Sequence, residues 1–581
     1  TNPIDIEDRP ILEASLHVQV DGMGYASNSD LFTYADRWSA VTTWGYEDPP
    51  QQGDSVAIGE TDVVLYNMNS PALHLLVIQG TLIFLDELDL ELNASYIMVK
   101  GNEDGSRLAK LQVGTEANPF KHRATITLEG NRRILEIPIY GGKVLGVRHA
   151  ELDLHGTAHD IIWTRLAATA PRGADFIDLQ DATDWAIGDE IVIAPTDYFY
   201  NEAEQRTIRA VSHDGSRLYL DEPLFYDHWG AGYKVHAPGT PFDTLSMPEM
   251  AAEVGLLSRN VVVQGDDQTD NIQFGATIFM HSIGDQTLFG RLSNVEVKHA
   301  GQGFFLGRYA VHYHMVGSVD GSYVKDCAIH HSFNRAVAVH GVSDLLLDGN
   351  VVFDIRGQTF FLEDGVEMGN VIQGNLAILT QPLFSLLVVD QTPASYWVVN
   401  PGNYLRDNVA AGSANFGFWY RPLNHPDGLS ETSLYCPDEV PLGAFTNNIA
   451  HSTGMYGLKL QDMTPRLDGF YCGSTTPIQA VFDGFFGWKQ SMAGIWMSCT
   501  DGDVCDTLSH VTLNNFKFFD SRNAAFEYWA YGDGMVISNA LTVGITTNNA
   551  TIVRNFFDIT SFEGTSGAYG GNNSVGNLLA Q

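Results

Sequence analysis

Basic residues are scarce in this 581-residue chain: 32 Lys and Arg stand against 70 Asp and Glu, a formal net charge of -38. Such a surface repels phosphate backbones and anionic lipid, which argues against nucleic acid or a membrane surface as partner. Polyanionic substrates are disfavoured as well, unless a local basic groove or a bound cation intervenes. No run of about 18 consecutive apolar residues exists, so no bilayer-spanning segment is expected. The opening TNPIDIEDRP lacks the basic start and apolar run of a signal peptide, and reads as a mature protein or excised ectodomain. Cysteine is sparse too. Five in the chain do not make a disulfide scaffold, and neither a CxxC pair nor a zinc spacing occurs. Cys436 and Cys472 lie in two loop-like inserts, and Cys499 and Cys505 flank the acidic TDGDV. Bridges 436–472 and 499–505 are therefore expected, leaving Cys327 alone in an apolar strand. Sequons at Asn93, Asn549 and Asn572 are candidate glycosylation sites, in a number that chance alone supplies. Secretion or a cell-surface setting is favoured.

Helical periodicity is almost absent. Short apolar stretches such as VVLYN, LHLLVI, TLIFL and YIMVK alternate with Gly, Asn and Asp, the pattern of an all-β protein. From about residue 294 one short phrase recurs: Asn294-Val-Glu-Val, Asp326-Cys-Ala-Ile, Asn350-Val-Val-Phe and Asn375-Leu-Ala-Ile, at intervals of 32, 24 and 25 residues. It returns at Asn408, Asn448, Asn515, Asn539 and Asn555. A period in the low twenties with Asn or Asp before each strand predicts a parallel β-helix, a solenoid whose coils bury their inner faces only by stacking. The expected parts are an N-terminal β segment at 1–37, a glycine-rich β-sandwich or β-roll at 38–160, a β-rich connecting region at 161–260 and the solenoid at 261–581. Inserts are expected at about 422–443, 461–477 and 498–507.

Histidine is concentrated: His299, His312, His314, His330, His331 and His340 fall within 42 residues, of 19 in the chain. Aligning Ala310-Val-His-Tyr-His314 with Ala336-Val-Ala-Val-His340, and then with Phe360-Phe-Leu-Glu-Asp364, stacks His314, His340 and Asp364 on successive coils about 5 Å apart. His312 faces the same side as His314, while Val311, Val337 and Phe361 are expected to point inward. Two chemistries fit this ladder. His340 and His314 with Asp364 or Glu363 can act as general acid and base on a glycosidic bond. Alternatively, His312, His314, His340 and Asp364 can bind a divalent transition metal. A second ladder aligns Lys298, His330 and Asp354, and a third pairs Asn334 with Gln358 as a structural amide stack. Arg308, Arg335 and Arg356 are candidates to clamp a substrate carboxylate. Trp397, Trp419 and Tyr420 are candidates to stack on sugars, with core packing expected for at least one.

The run SYVKDCAIHHSFNRAVAVHGVSDLL (322–346), followed by FFLEDGVEMGN (360–370), resembles the family of the cell-migration-inducing hyaluronan-binding protein and its transmembrane hyaluronidase relative. VHYHMVG, SYWVVNPGNYLRDNVAAGSANFGFWY and, at the front, GGKVLGV (141–147) and LDLHG (152–156) are similar to it too, the latter two matching its eight-glycine N-terminal module. The resemblance spans about 38–455. It implies a right-handed β-helix, an extracellular setting, and hyaluronan binding or depolymerisation with possible calcium dependence. Family members carry a second Cys where this chain has Ala336, which leaves Cys327 without that partner.

The reading that results is a secreted or cell-surface protein that binds and cleaves a polysaccharide. An endo-acting glycosidase on a hyaluronan-like glycosaminoglycan is expected, with a lyase as the other mode of cleavage. No organic cofactor is expected. The rival is a non-catalytic carbohydrate-binding or fibre-forming β-helix that self-associates.

Overall fold

The computed structural model of the chain describes residues 30–548 apart from 283, 285–286, 385–386, 499–507 and 529–532, together with short strands within 13–25 and 574–580. The expected bridge 499–505 and the sequons at Asn549 and Asn572 lie outside the described residues. Each coil of chain contributes one strand to each of three stacks. Val295–Ala300, Val311–Ser318 and Tyr323–Lys325 make one coil, and Ala328–Ser332, Val337–Ser343 and Leu346–Asp348 make the next. Their pairings are all parallel, with Lys298 beside His330, His314 beside His340 and Val324 beside Leu347. This is the parallel β-helix that the Asn-led period predicts.

The front of the chain differs from expectation. Instead of a sandwich or roll, its strands are earlier coils on the same axis. Ala124–Leu128 pairs in parallel with Val261–Gly265, and Val144–Arg148 with Thr277–His281. One core accordingly runs from Trp38 to Ala540. Alternating apolar strands look alike in sandwich and solenoid, and these coils lack the Asn phrase that marks the later ones. Between them sits a six-stranded antiparallel sheet, built from strands of which Trp163–Arg165 is the first and Glu253–Leu256 the last. It covers the outer face of the first stack: Val192 and Ala194 pack with Phe353, Ile378 and Trp488. The junction is sealed by buried Glu253, which pairs with Arg165 at 3.0 Å and His451 at 2.8 Å. That sheet leaves the outer face of the second stack to other neighbours.

The repeated Asn phrase resolves into two adjacent corner positions. Asn294, Asp326, Asn515 and Asn539 adopt left-handed backbone with φ of 53°, 53°, 55° and 52°, which Asn and Asp tolerate better than other side chains. Asn350, Asn375, Asn408 and Asn448 stand one residue later and point inward, fully buried. Their amides form a ladder: Asn350 Nδ2 donates to Asn375 Oδ1 at 2.8 Å, Asn375 to Asn408 at 3.0 Å, and Asn408 to Asn448 at 3.0 Å. Each receiving Oδ1 also accepts the backbone N–H of the Asn above, at 3.0–3.1 Å. Buried amides are tolerable here because every polar atom finds a partner along the stack. The expected Asn334–Gln358 pair does not serve this way. Asn334 donates to the Gln302 and Phe305 carbonyls, and Gln358 to that of Val389, so each ties down a loop.

Asn375→Ala should therefore lower the free energy of unfolding by about 2 kcal/mol, since it orphans buried groups on two coils. Asp407→Gly, at an exposed left-handed position (φ 54°), should change it by less than about 1 kcal/mol. Urea unfolding followed by tryptophan fluorescence checks both. Equal losses would show that the ladder is not a special source of stability.

Candidate functional site

The histidines line the outer face of the second stack. His281, His314 and His340 occupy one rung column, and Phe279, His312 and Ala338 the column two residues earlier. Val337 pairs with Phe360 and Val339 with Leu362, which sets Glu363 opposite His340 and carries Asp364 one residue beyond. The expected register was thus right for His314 and His340 and one residue off at the third coil. By the same shift Phe361, expected inside, faces outward, and Phe360 enters the core.

Asp364 nevertheless reaches the ladder, because the chain turns back at the strand end. His340 Nε2 lies 2.9 Å from Asp364 Oδ2, and His340 Nδ1 lies 3.3 Å from Glu363 Oε2. One imidazole is thereby held between two carboxyl groups. Glu367 builds the turn that presents them: its carboxylate accepts the backbone N–H groups of Gly341, Asp364 and Gly365 at 2.8, 3.0 and 2.7 Å. Ser430 N–H, from the insert after the next coils, adds a bond to Asp364 Oδ2 at 3.1 Å. Gly428 is needed there, since at φ +63° a Cβ would sit 2.4 Å from Asp364 Oδ1. On the other flank, Arg308 donates to the Ile139 carbonyl at 2.8 Å, and Gly141 makes room for its guanidinium.

One ring nitrogen each from His312, His314 and His340 lie within 4.8 Å of one another. His312 is 1% exposed, and its Nδ1 lies 2.9 Å from the Gly307 carbonyl. A carbonyl only accepts, so Nδ1 carries the proton and the lone pair is on Nε2, which has no hydrogen-bond partner. His281 Nδ1 lies 3.0 Å from His314 Nδ1 and 3.2 Å from its carbonyl oxygen, holding that ring. Burial, reinforced by the neighbouring imidazoles, holds His312 well below the usual histidine range and takes His314 down to about 3. His340 goes the other way. Burial opposes its charge, but the Asp364 hydrogen bond and the Glu363, Asp364 and Glu367 carboxylates together raise it. Burial also raises Glu363 against the pull of Arg335 and His340, and raises Glu367 to about 7.

The arginines are placed differently from expectation. Arg335 is fully buried: both its Nε and Nη2 bind Asp390, its Nη1 donates to Tyr309 at 2.8 Å, and its guanidinium stacks 3.6 Å above Phe361. All its polar capacity is taken up, so it braces Glu363 and Asp390 and offers no fork to a substrate. Arg356 lies on the first stack, beside Phe333 and away from the histidines. Arg308 alone of the three flanks the site. Tyr420 is core, and Trp419, 6% exposed, lies beneath Lys459 with its Nε1 bonded to Gln461, so neither presents a face to solvent. In the second polar ladder Lys298 meets His330, but Phe353 takes the next rung and Asp354 faces His331 at 4.0 Å. Asn93 is half-buried on the strand Leu90–Lys100. Cys436 and Cys472 are bridged, joining the two inserts, and Cys327 is buried and free. Sequence reasoning missed His281, although Thr277-Ile-Phe-Met-His281 repeats the AVHYH spacing one coil earlier. It also missed Glu367 and Lys459.

Comparison with known proteins adds family relations. Residues 43–167 match the G8 domain and 273–458 the CEMIP beta-helix. Fibrocystin-L of Mus musculus is 40% identical over 573 residues, covering 91% of this chain, and the human protein is 39% identical. The chain spans only 13% of their length. Human cell surface hyaluronidase CEMIP2 is 34% identical over 329 residues, covering 48% of this chain and 22% of that protein. Among solved structures, a GH87 α-1,3-glucanase catalytic domain is 12% identical, covers 72% of this chain and 92% of its own, and has a TM-score of 0.32. A Yersinia enterocolitica family 28 exopolygalacturonase is 9% identical, covers 98% and 83%, and has a TM-score of 0.30. Likeness of that degree says nothing about chemistry. These two matches correspond to the pair of modules that the sequence resemblance implied.

Proposed function

We propose that this is an extracellular polysaccharide-binding and -cleaving protein, with the outer face of the second stack at His314, His340, Glu363 and Asp364 as its reacting centre. The observation that carries this reading is the single imidazole flanked by two carboxyl groups, one buried and one half-buried. Glu363 keeps 16% of its side-chain surface against 3% for Asp364. Glu363 is therefore the group within reach of a glycosidic oxygen as proton donor, and Asp364 orients His340. Exposed apolar side chains rim the flanking loops: Leu135 and Ile139 on one, Phe304 and Leu306 on a second, Phe384 and Leu429 on two more. Such a rim suits the faces of a sugar chain.

The substrate class is argued from charge. Along the same outer face, Lys459 stands over Trp419 at 3.6 Å, with Arg421 one coil before it. No carboxylate lies within ion-pair distance of either among the described residues, in a chain of net charge -38. Counting coils at about 4.8 Å each puts Arg421 roughly 10 Å from Glu363. Two unpaired cations at that spacing favour an acidic polymer, and a hyaluronan-like glycosaminoglycan is the reading that also suits the hyaluronidase relative. At that range a local cation outweighs the distant negative surface, which salt screens beyond about 10 Å at 0.1 M.

Two outcomes are expected. The protein should shorten hyaluronan or a related uronate-containing chain, and Glu363→Gln, Asp364→Asn and His340→Ala should each slow this by about 100-fold or more while leaving circular dichroism unchanged. Full activity in these variants would remove the site from the chemistry. Binding without any cleavage by the wild type would leave a carbohydrate-binding protein instead. Separately, burial beside Arg421 lowers Lys459 to about 7. Its charge is present below that pH and lost above it, so affinity for the acidic chain should fall between pH 6 and 8. Lys459→Arg should abolish the pH effect and keep the affinity; a dependence unchanged in that variant would exclude Lys459 as its source.

A further inference from the structure

We infer that His312, His314 and His340, with Glu363, form a binding site for a divalent first-row transition metal. The case starts from a buried polar atom without a partner, the Nε2 of His312, and from the Oε2 of Glu363, buried and met only by His340 Nδ1 at 3.3 Å. A buried lone pair left without a donor or a cation is a standing cost to the fold. These under-satisfied atoms, beside three imidazole nitrogens within 4.8 Å of one another, mark a place shaped for a cation.

The surroundings prepare the ligands. His312 is aimed by the Gly307 carbonyl at its Nδ1, which fixes the tautomer with a bare Nε2. His340 is aimed by Asp364 at its Nε2, which turns Nδ1 toward Glu363 Oε2 at 3.3 Å. A carbonyl or carboxylate on the far nitrogen is the support that metal-bound histidines regularly have. His281 holds the His314 ring, and Tyr309 and Arg335 hold Glu363 through its other oxygen, at 3.4 and 3.6 Å. Asp364, expected to be a ligand, is better placed as the support behind His340.

Three imidazoles and one carboxylate suit zinc, cobalt, nickel, copper, iron or manganese. Calcium takes oxygen ligands and finds one carboxylate here. The site shares His314, His340 and Glu363 with the proposed reacting centre, and a bound ion would take the Glu363 carboxylate out of proton donation, so metal binding is measured by itself, with no polymer present.

The test is metal content and cobalt spectroscopy on the whole protein. Purified without chelator, it should carry one transition ion per chain. After stripping, Co(II) should bind with visible ligand-field bands and be displaced by Zn(II). His312→Ala and His314→Ala should lose the ion and the bands, Asp364→Asn should bind about 10–100-fold more weakly, and His122→Ala, far from the cluster, should match the wild type. X-ray absorption of the zinc-loaded wild type, which needs no variant to fold, should show imidazole scattering. A wild type that takes up neither cobalt nor zinc, binding that survives loss of His312 and His314, or a zinc shell without imidazole would each overturn the assignment.

Discussion

Each coil of this chain presents an apolar inner face that only the coils above and below can cover. Parallel stacking is therefore the constraint from which the rest follows. It places identical slots of successive coils in vertical register, and any polar residue in a slot meets its own kind. Inside, that condition turns buried asparagines into a continuous hydrogen-bonded ladder from Asn350 to Asn448. Outside, it turns three histidines into a column running from His281 to His340. The same geometry serves structure on one face and a chemical site on the other. The difference lies in whether the polar atoms are satisfied.

In the asparagine ladder every donor is matched, which makes it a rigid spine. In the histidine cluster His312 Nε2 is left unmatched and Glu363 Oε2 meets only His340 Nδ1, within a shell of bonded neighbours. Glu367, Asp390, Arg335, Tyr309 and the Gly307 carbonyl spend their hydrogen bonds on holding His312, His340 and the two carboxyls in place. A rigid frame around unsatisfied groups is how a binding or reacting centre differs from a packed core. The antiparallel sheet contributes by covering the first stack, so the column on the second stack is met by loops alone.

Much of this was legible in the residues. The Asn-led period predicts the β-helix, and the matched AVHYH and AVAVH segments place His314 beside His340. What failed did so for definable reasons. A coil can change length by one residue at a corner such as Gly357 (φ 84°), and an apolar pair such as Phe360-Phe361 fits the core in either register. Asp364 was misplaced on that account. Two adjacent corner slots both favour Asn, so one repeated phrase concealed a left-handed position and an inward ladder. Arg335 read as a free cation because its partner Asp390 lies 55 residues away on a loop with no repeat signal. Lys459 and Trp419 meet only through a pairing 40 residues apart in sequence.

The account places the polymer on the second stack, running from the histidine cluster toward Arg421 and Lys459. A crystal structure with a bound acidic oligosaccharide tests that most directly. Sugar density over Glu363 with a carboxylate near Arg421 or Lys459 is the predicted result. An oligosaccharide lodged elsewhere, such as against Arg291, Tyr323 and His155 on the third stack, with the histidine cluster unvisited, would contradict it.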